Sequence, residues 1–148
     1  DYRSSRGLGD VYKRQDFAVT DLFGFRSMAG GMDGYRVTAP THDDTPTRQL
    51  VIGRYAAEAA GFVVASDFSD TPRLLTEVSE TTTDEAAVRS QLALLHLRIL
   101  GEDVATDSAE IDESYDLFAA GLASGGSAAT GWKLVLTALL QSPEVLFY

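Results

Sequence analysis

The sequence predicts an all-α fold, with four main helices in antiparallel succession behind a turn-rich N-terminal segment. Apolar residues recur at helical spacing in four separate stretches, and residues typical of helix starts and stops stand between them. No stretch shows the sustained apolar–polar alternation of a half-buried strand. Because the links between the stretches are short, successive helices are expected to be antiparallel neighbours.

The chain divides into three ranges. Residues 5–15 resemble one translated frame of a transposon-based sequencing adapter, so we expect 1–15 to be an artefactual, non-native leader. Residues 16–45 are predicted to be irregular and loop-rich, because glycines and Pro40 punctuate them. Residues 46–148 are predicted to form a helical domain. We expect this domain to be a fragment of a larger protein, sequenced from environmental DNA.

The first helix is predicted to begin at Pro46, with Thr45 as its cap, and to end near Ser66 and Asp67. Pro72 interrupts the chain after it, and residues 74–78 suggest a short helix. The second helix follows a capping-box pattern in which Thr82 is the cap and Glu85 stands three residues later. It is expected to stop at Gly101, a residue favoured just beyond a helix end.

The third helix is predicted to open at Asp107 or Ser108 and to be broken by the glycines of residues 121–126. The fourth is predicted from about Ser127 to Ser142, where Pro143 ends it. The helical stripes together predict one core, made of Val88, Leu92, Leu95, Ile99, Ile111, Tyr115, Phe118, Trp132, Leu136 and Leu139.

Composition argues against several function classes. The net charge is −10, and it is −12 without residues 1–15, which carry two more basic than acidic side chains. Such a surface repels nucleic acids and anionic lipids. The absence of cysteine excludes disulfides, zinc–thiolate sites, iron–sulfur clusters and covalent haem attachment. No cofactor is expected, and no apolar run is long enough for a membrane span.

The densest polar cluster precedes the first helix and comprises Asp33, His42, Asp43 and Asp44. A metal needs several ligands that converge on one point, and adjacent residues seldom converge. A turn and a cap before Pro46 explain Asp43 and Asp44 adequately. We therefore predict no metal site here, and catalytic residues remain unknown.

Four features of the helical range are weighed for a functional or a structural role. His96 is expected to be partly buried with one hydrogen bond. Residues 121–127 have the glycine spacing of a phosphate loop, but Ser127 replaces the lysine, which favours a helix–helix connection. Arg98 is expected to extend to solvent or to pair with an acid of the next helix, and Trp132 to fill the core.

Residues 94–148 contain a helix ending in Leu-Arg-Ile-Leu-Gly, an acidic second helix, a Gly-Ser link and a close in Leu140-Gln141-Ser142-Pro143 with Leu146-Phe147-Tyr148. This order resembles helical domains of unknown function in large secreted proteins of planctomycetes and related, myxobacterial-type bacteria, which accompany cytochrome c modules. The family's Arg-rich segment is reduced here to Arg98. The resemblance implies an all-α fold and a periplasmic or extracellular setting, and it assigns no functional residue.

These observations predict a non-catalytic structural or interaction module of a larger, exported bacterial protein. Its expected partners are other domains of the same full-length protein, and no nucleic acid. The alternative is a part of a redox enzyme or cytochrome-linked assembly whose cofactor lies outside this range.

Overall fold

The computed structural model describes residues 28, 30, 38–40, 43, 45–142 and 145. Within them lie four α-helices, α1 (Pro46–Ser69), α2 (Glu85–Leu95), α3 (Ala109–Gly125) and α4 (Ala128–Leu140). A π-helical turn, His96–Leu100, continues α2. No strand occurs among these residues, which confirms the all-α prediction. The antiparallel succession of the helices stays a prediction.

The chain forms two compact units, Asp1–Ile52 and Gly53–Tyr148, and α1 crosses from the first to the second. In the first unit, α1 begins at Pro46 as predicted, and the Thr45 hydroxyl accepts the Arg48 N–H at 3.1 Å. In the second unit, α1 runs beyond the predicted end to Ser69. There the Ser69 hydroxyl donates to the Ala65 carbonyl at 2.6 Å, within the last turn of the helix.

The core lies in the second unit and joins residues of all four helices. Trp132 and Phe118 are at its centre, with ring centroids 4.8 Å apart. Most of the predicted core is confirmed, while Ile99 and Tyr115 are only partly buried and pack against the cluster. The buried cluster consists of Ala60, Val64, Leu75, Val88, Leu92, Leu95, Ile111, Phe118, Ala128, Trp132, Val135, Leu136 and Leu139.

Two glycines allow α3 and α4 to approach closely. A Cβ built on Gly121 would lie 2.7 Å from the Gly131 Cα, and one built on Gly131 would lie 2.7 Å from the Phe118 carbonyl oxygen. Gly121 is buried inside α3, and the helix break predicted over residues 121–126 falls at the last of them. The helix ends at Gly126, whose φ of 69° lies in the left-handed region that only glycine adopts freely.

Side-chain caps set the helix starts. Ser108 and Ser127 cap α3 and α4, as predicted. The cap of α2 is Asp84, whose carboxylate accepts the Ala87 N–H at 3.1 Å. The prediction that Thr82 caps this helix was wrong, because its hydroxyl accepts the Ser79 N–H in the preceding turn. At the other end, Gly101 has a φ of 73° and closes the π-helical turn, which confirms the predicted stop.

The connection between α1 and α2 is held by two buried polar side chains. The Asp67 carboxylate accepts the N–H groups of Leu74 and Leu75 at 2.8 and 2.9 Å. Gln91 accepts the Glu77 N–H and donates to the Leu74 carbonyl, both at 2.8 Å. The short helix predicted over residues 74–78 is absent, because these side chains satisfy the main-chain groups that a helix would have paired.

Candidate functional site

The polar cluster predicted before α1 falls largely outside the described residues. Asp33, His42 and Asp44 are not among them. Asp43 is exposed, and its carbonyl accepts a hydrogen bond from Arg48 Nη1 at 3.4 Å. That these four residues form no metal site therefore stays a prediction. Among the residues that the structure does describe, no three His, Asp or Glu side chains are grouped to hold a metal ion.

The most distinctive polar site surrounds His96, the first residue of the π-helical turn. The imidazole is 5% exposed. Its Nε2 lies 3.0 Å from the Ser114 hydroxyl of α3, and its Nδ1 lies 3.6 Å from a Glu102 carboxylate oxygen. The predicted single hydrogen bond is confirmed, since Nδ1 has no hydrogen-bond partner, and burial is more complete than expected.

The π-helical turn positions this imidazole. The N–H groups of Gly101 and Glu102 both reach the His96 carbonyl, the latter at 3.3 Å. Single π-helical turns are frequent at functional sites. The sequence did not reveal the turn, because the leucine-rich run from Leu92 to Leu100 continues without a local break.

Ser114, His96 and Glu102 follow the order serine, imidazole, carboxylate, which is also the order of the catalytic triad in many hydrolases. Such a relay needs main-chain N–H groups free to stabilise an oxyanion. Ser114 lies in the interior of α3, where helical hydrogen bonds take up the N–H groups. The separation of Nδ1 from Glu102 also exceeds hydrogen-bond distance. The geometry therefore favours a polar cross-link between α3 and the segment after α2.

Glu110, in the first turn of α3, adds negative charge to this site. Its pKa is held below the ordinary value by a hydrogen bond from its own main-chain N–H, then by the Ser108 hydroxyl and by the charge of His96. Two carboxylates, those of Glu102 and Glu110, therefore influence the buried imidazole.

A second polar cross-link is centred on Arg89 of α2. The guanidinium donates to Glu85 at 2.8 Å, to Asp112 of α3 at 2.7 Å and to the Thr106 carbonyl at 3.1 Å. It also lies 5.0 Å above the Tyr115 ring. The hydrogen bonds to Asp112 and Glu85 raise the pKa of Arg89 above its ordinary value. The network thus ties α2 to α3 and to the segment between them.

Beside Arg89 lies an open groove of 540 Å³, lined by Ala86, Arg89, Ser90, Thr106, Asp107 and Asp112. Several polar groups of this groove already form hydrogen bonds within the chain. Asp112 pairs with Arg89, and the Ser90 hydroxyl donates to Glu77 at 2.6 Å. The groove therefore offers little unpaired hydrogen-bonding capacity for a small ligand.

The other features singled out in the sequence form contacts within the fold. Residues 121–127 form the end of α3 and the link to α4, where the Ser127 hydroxyl accepts the Thr130 N–H, which favours the helix–helix interpretation. Arg98 is exposed, which agrees with the first of its two predicted alternatives, and it donates to the Arg73 carbonyl at 2.6 Å instead of pairing with an acid of the next helix. Trp132 fills the core as predicted.

Several large apolar side chains are exposed on the described helices. Phe62 is 57% exposed on α1, although its near neighbours Ala60 and Val64 are in the core. Leu97 on the π-helical turn and Leu134 on α4 are 48% and 39% exposed. None of the described helices combines the length and the apolar character that crossing a membrane requires.

Comparison with known proteins found no match. No protein-family model fits the chain, and neither a curated protein nor a solved structure is significantly similar to it.

Proposed function

We propose that the chain is a non-catalytic helical module with a structural or interaction role in a larger, exported bacterial protein. The observation that carries this proposal is the exposure of Phe62. Phe62 remains exposed on a helix whose other face enters the core, and aromatic side chains are enriched at protein interfaces. Export and bacterial origin rest on the resemblance of residues 94–148.

The polar contacts between helices and connections support the same proposal. Asp67 and Gln91 hold the connection between α1 and α2, and Arg89 holds α3 to α2. These side chains are committed to contacts within the chain that keep its helices and connections in place. A rigid scaffold is what a contact module needs, because rigidity reduces the entropy lost on binding.

The proposed partners are other domains of the same full-length protein. The acidic surface disfavours nucleic acids, and Phe62 with its neighbours offers an aromatic anchor suited to a protein surface. An interface within one chain needs only modest affinity, because linkage raises the effective concentration of the partner.

The test begins with the longer gene. Its neighbouring domains are produced separately, and their binding to this chain is measured by isothermal titration calorimetry. Loss of an aromatic interface anchor weakens binding by about tenfold or more, so Phe62→Ser should do so. Leu97→Ser is the matched control, since it removes an exposed apolar side chain elsewhere. Equal affinities of Phe62→Ser and wild type, or no binding by any neighbouring domain, would refute the proposal.

The longer gene also distinguishes the proposed function from the alternative, a part of a redox assembly. A C-x-x-C-H motif in the same reading frame would attach haem to a neighbouring domain and would make this module part of a redox assembly.

A further inference from the structure

We propose that His96 acts as a protonation-controlled clasp, which fastens residues 101–108 to α2 and α3 more firmly when the imidazole takes up a proton. This inference is independent of the proposed function, because it concerns contacts within the chain.

His96 holds the segment after α2 through both its main chain and its side chain. The carbonyl accepts the N–H groups of Gly101 and Glu102, and Nδ1 faces the Glu102 carboxylate at 3.6 Å. On the opposite side of the ring, Nε2 lies 3.0 Å from the Ser114 hydroxyl. One residue therefore connects the π-helical turn, the following segment and α3.

The neutral ring cannot donate to both partners, because it carries a single N–H. If Nε2 carries the hydrogen, Nδ1 presents a lone pair to the Glu102 carboxylate and is buried without a partner. If Nδ1 carries it, Ser114 must supply the other hydrogen bond. The cationic ring donates from both nitrogens and attracts the carboxylate as well, so proton uptake strengthens the contact with Glu102 and keeps the hydrogen bond with Ser114.

Two carboxylates interact with His96. Glu102 lies in the following segment, and Glu110 of α3 interacts with the ring electrostatically. The neighbouring cation Arg98 extends to the Arg73 carbonyl, and Arg89 is paired with Glu85 and Asp112.

The only charged residue of α4, Lys133, is exposed. Histidine is the side chain that ordinarily changes charge between pH 5 and 8, so this is the range to examine.

The test follows the His96 ring by NMR and the amides of residues 101–108 by hydrogen exchange, at pH 8.0 and 5.5. Protection factors are corrected for the intrinsic pH dependence of exchange. One charge-assisted hydrogen bond gained in a partly exposed segment should raise protection at the lower pH by about fivefold.

Two variants should abolish this increase. Glu102→Gln removes the facing carboxylate at a 45% exposed side chain, so folding should be retained. His96→Gln removes the imidazole. If His96→Gln fails to fold, Glu102→Gln alone tests the proposal. Asp103→Asn is the control, since it removes a neighbouring exposed carboxylate and should keep the increase. The proposal is overturned if protection in the wild type does not rise, or if Glu102→Gln retains the full rise.

Discussion

Gly131 shows how one absent side chain determines the approach of two helices. A Cβ there would meet the main chain and the ring of Phe118 at 2.7 to 2.9 Å, and backbone atoms cannot yield as a flexible side chain can. Overpacking of this kind typically costs about 1–3 kcal/mol, so Gly131→Ala should lower the free energy of unfolding by that amount in urea titrations.

Gly61 is the matched control for this substitution. It lies inside α1, and a Cβ there would meet nothing within 4 Å. Because alanine is the better helix former, Gly61→Ala should stabilise the protein by about 0.5–1 kcal/mol. Destabilisation of similar size by both variants would contradict the close approach at Gly131.

Leu95 provides a second prediction at the residue scale. Its side chain is completely buried in the core cluster, whereas Leu97 two residues later is 48% exposed. Leu95→Ala should therefore cost about 2–5 kcal/mol of unfolding free energy, from lost transfer energy and from the cavity left behind. Leu97→Ala should cost much less. Comparable losses of stability for Leu95→Ala and Leu97→Ala in thermal unfolding would mean that Leu95 does not belong to the core.

Glu110 gives a pH-dependent prediction. Its pKa is lowered in the folded protein from an ordinary value of 4.5, chiefly by its own main-chain N–H. The carboxylate therefore stabilises the fold above that ordinary value, and the contribution is lost as the pH falls through the lowered pKa. Glu110→Gln should be less stable than wild type at pH 7, and the difference should vanish at strongly acidic pH.

Urea unfolding across this pH range measures the effect, with Glu113→Gln on the same helix as the control. A stability difference between Glu110→Gln and wild type that does not change with pH would contradict the assignment of this effect to the carboxylate.

At the scale of elements, the start of α2 depends on Asp84 and not on the predicted cap, Thr82. The Asp84 carboxylate accepts the Ala87 N–H, while the Thr82 hydroxyl serves the turn before it. Removal of a helix cap costs about 1 kcal/mol, so Asp84→Ala should destabilise the protein to that extent, and the neighbouring exposed Thr83→Ala should not. Equal stabilities of the two variants would indicate that another residue caps the helix.

The starts of α1, α3 and α4 and the core stripe were predictable because they depend on local signals. Thr45, Ser108 and Ser127 act as caps through hydrogen bonds that span three residues, and the stripe from Val88 to Leu95 depends on spacing alone. The predicted helix at 74–78 failed for the opposite reason. Its main-chain groups are paired with Asp67 and Gln91, which lie up to 17 residues away in the sequence.

The His96 site could be predicted only in part for the same reason. A single buried histidine with one hydrogen bond follows from an isolated His in an apolar run. Its partner Ser114 lies 18 residues further on, and helix packing alone brings the two together. Similarly, Gly121 resembled a helix breaker because sequence spacing does not reveal that Gly131 lies against it.

At the scale of the whole molecule, the buried cluster lies entirely between Ala60 and Leu139. Every side chain that fastens the connection between α1 and α2 also lies within this range. We therefore expect a fragment spanning residues 46–148, with α1 complete, to unfold in one cooperative transition. The near-ultraviolet circular dichroism of Trp132 is the appropriate probe, because this buried indole is the only tryptophan in the chain.

A shorter fragment, residues 85–148, is the control for this prediction. It lacks Ala60, Val64 and Leu75, which belong to the same cluster as Trp132. Without these side chains, the indole should lose its fixed surroundings and the transition should broaden, as in a loosely packed helical state. If 85–148 matched 46–148 in cooperativity and in its tryptophan signal, α1 would not be part of the core.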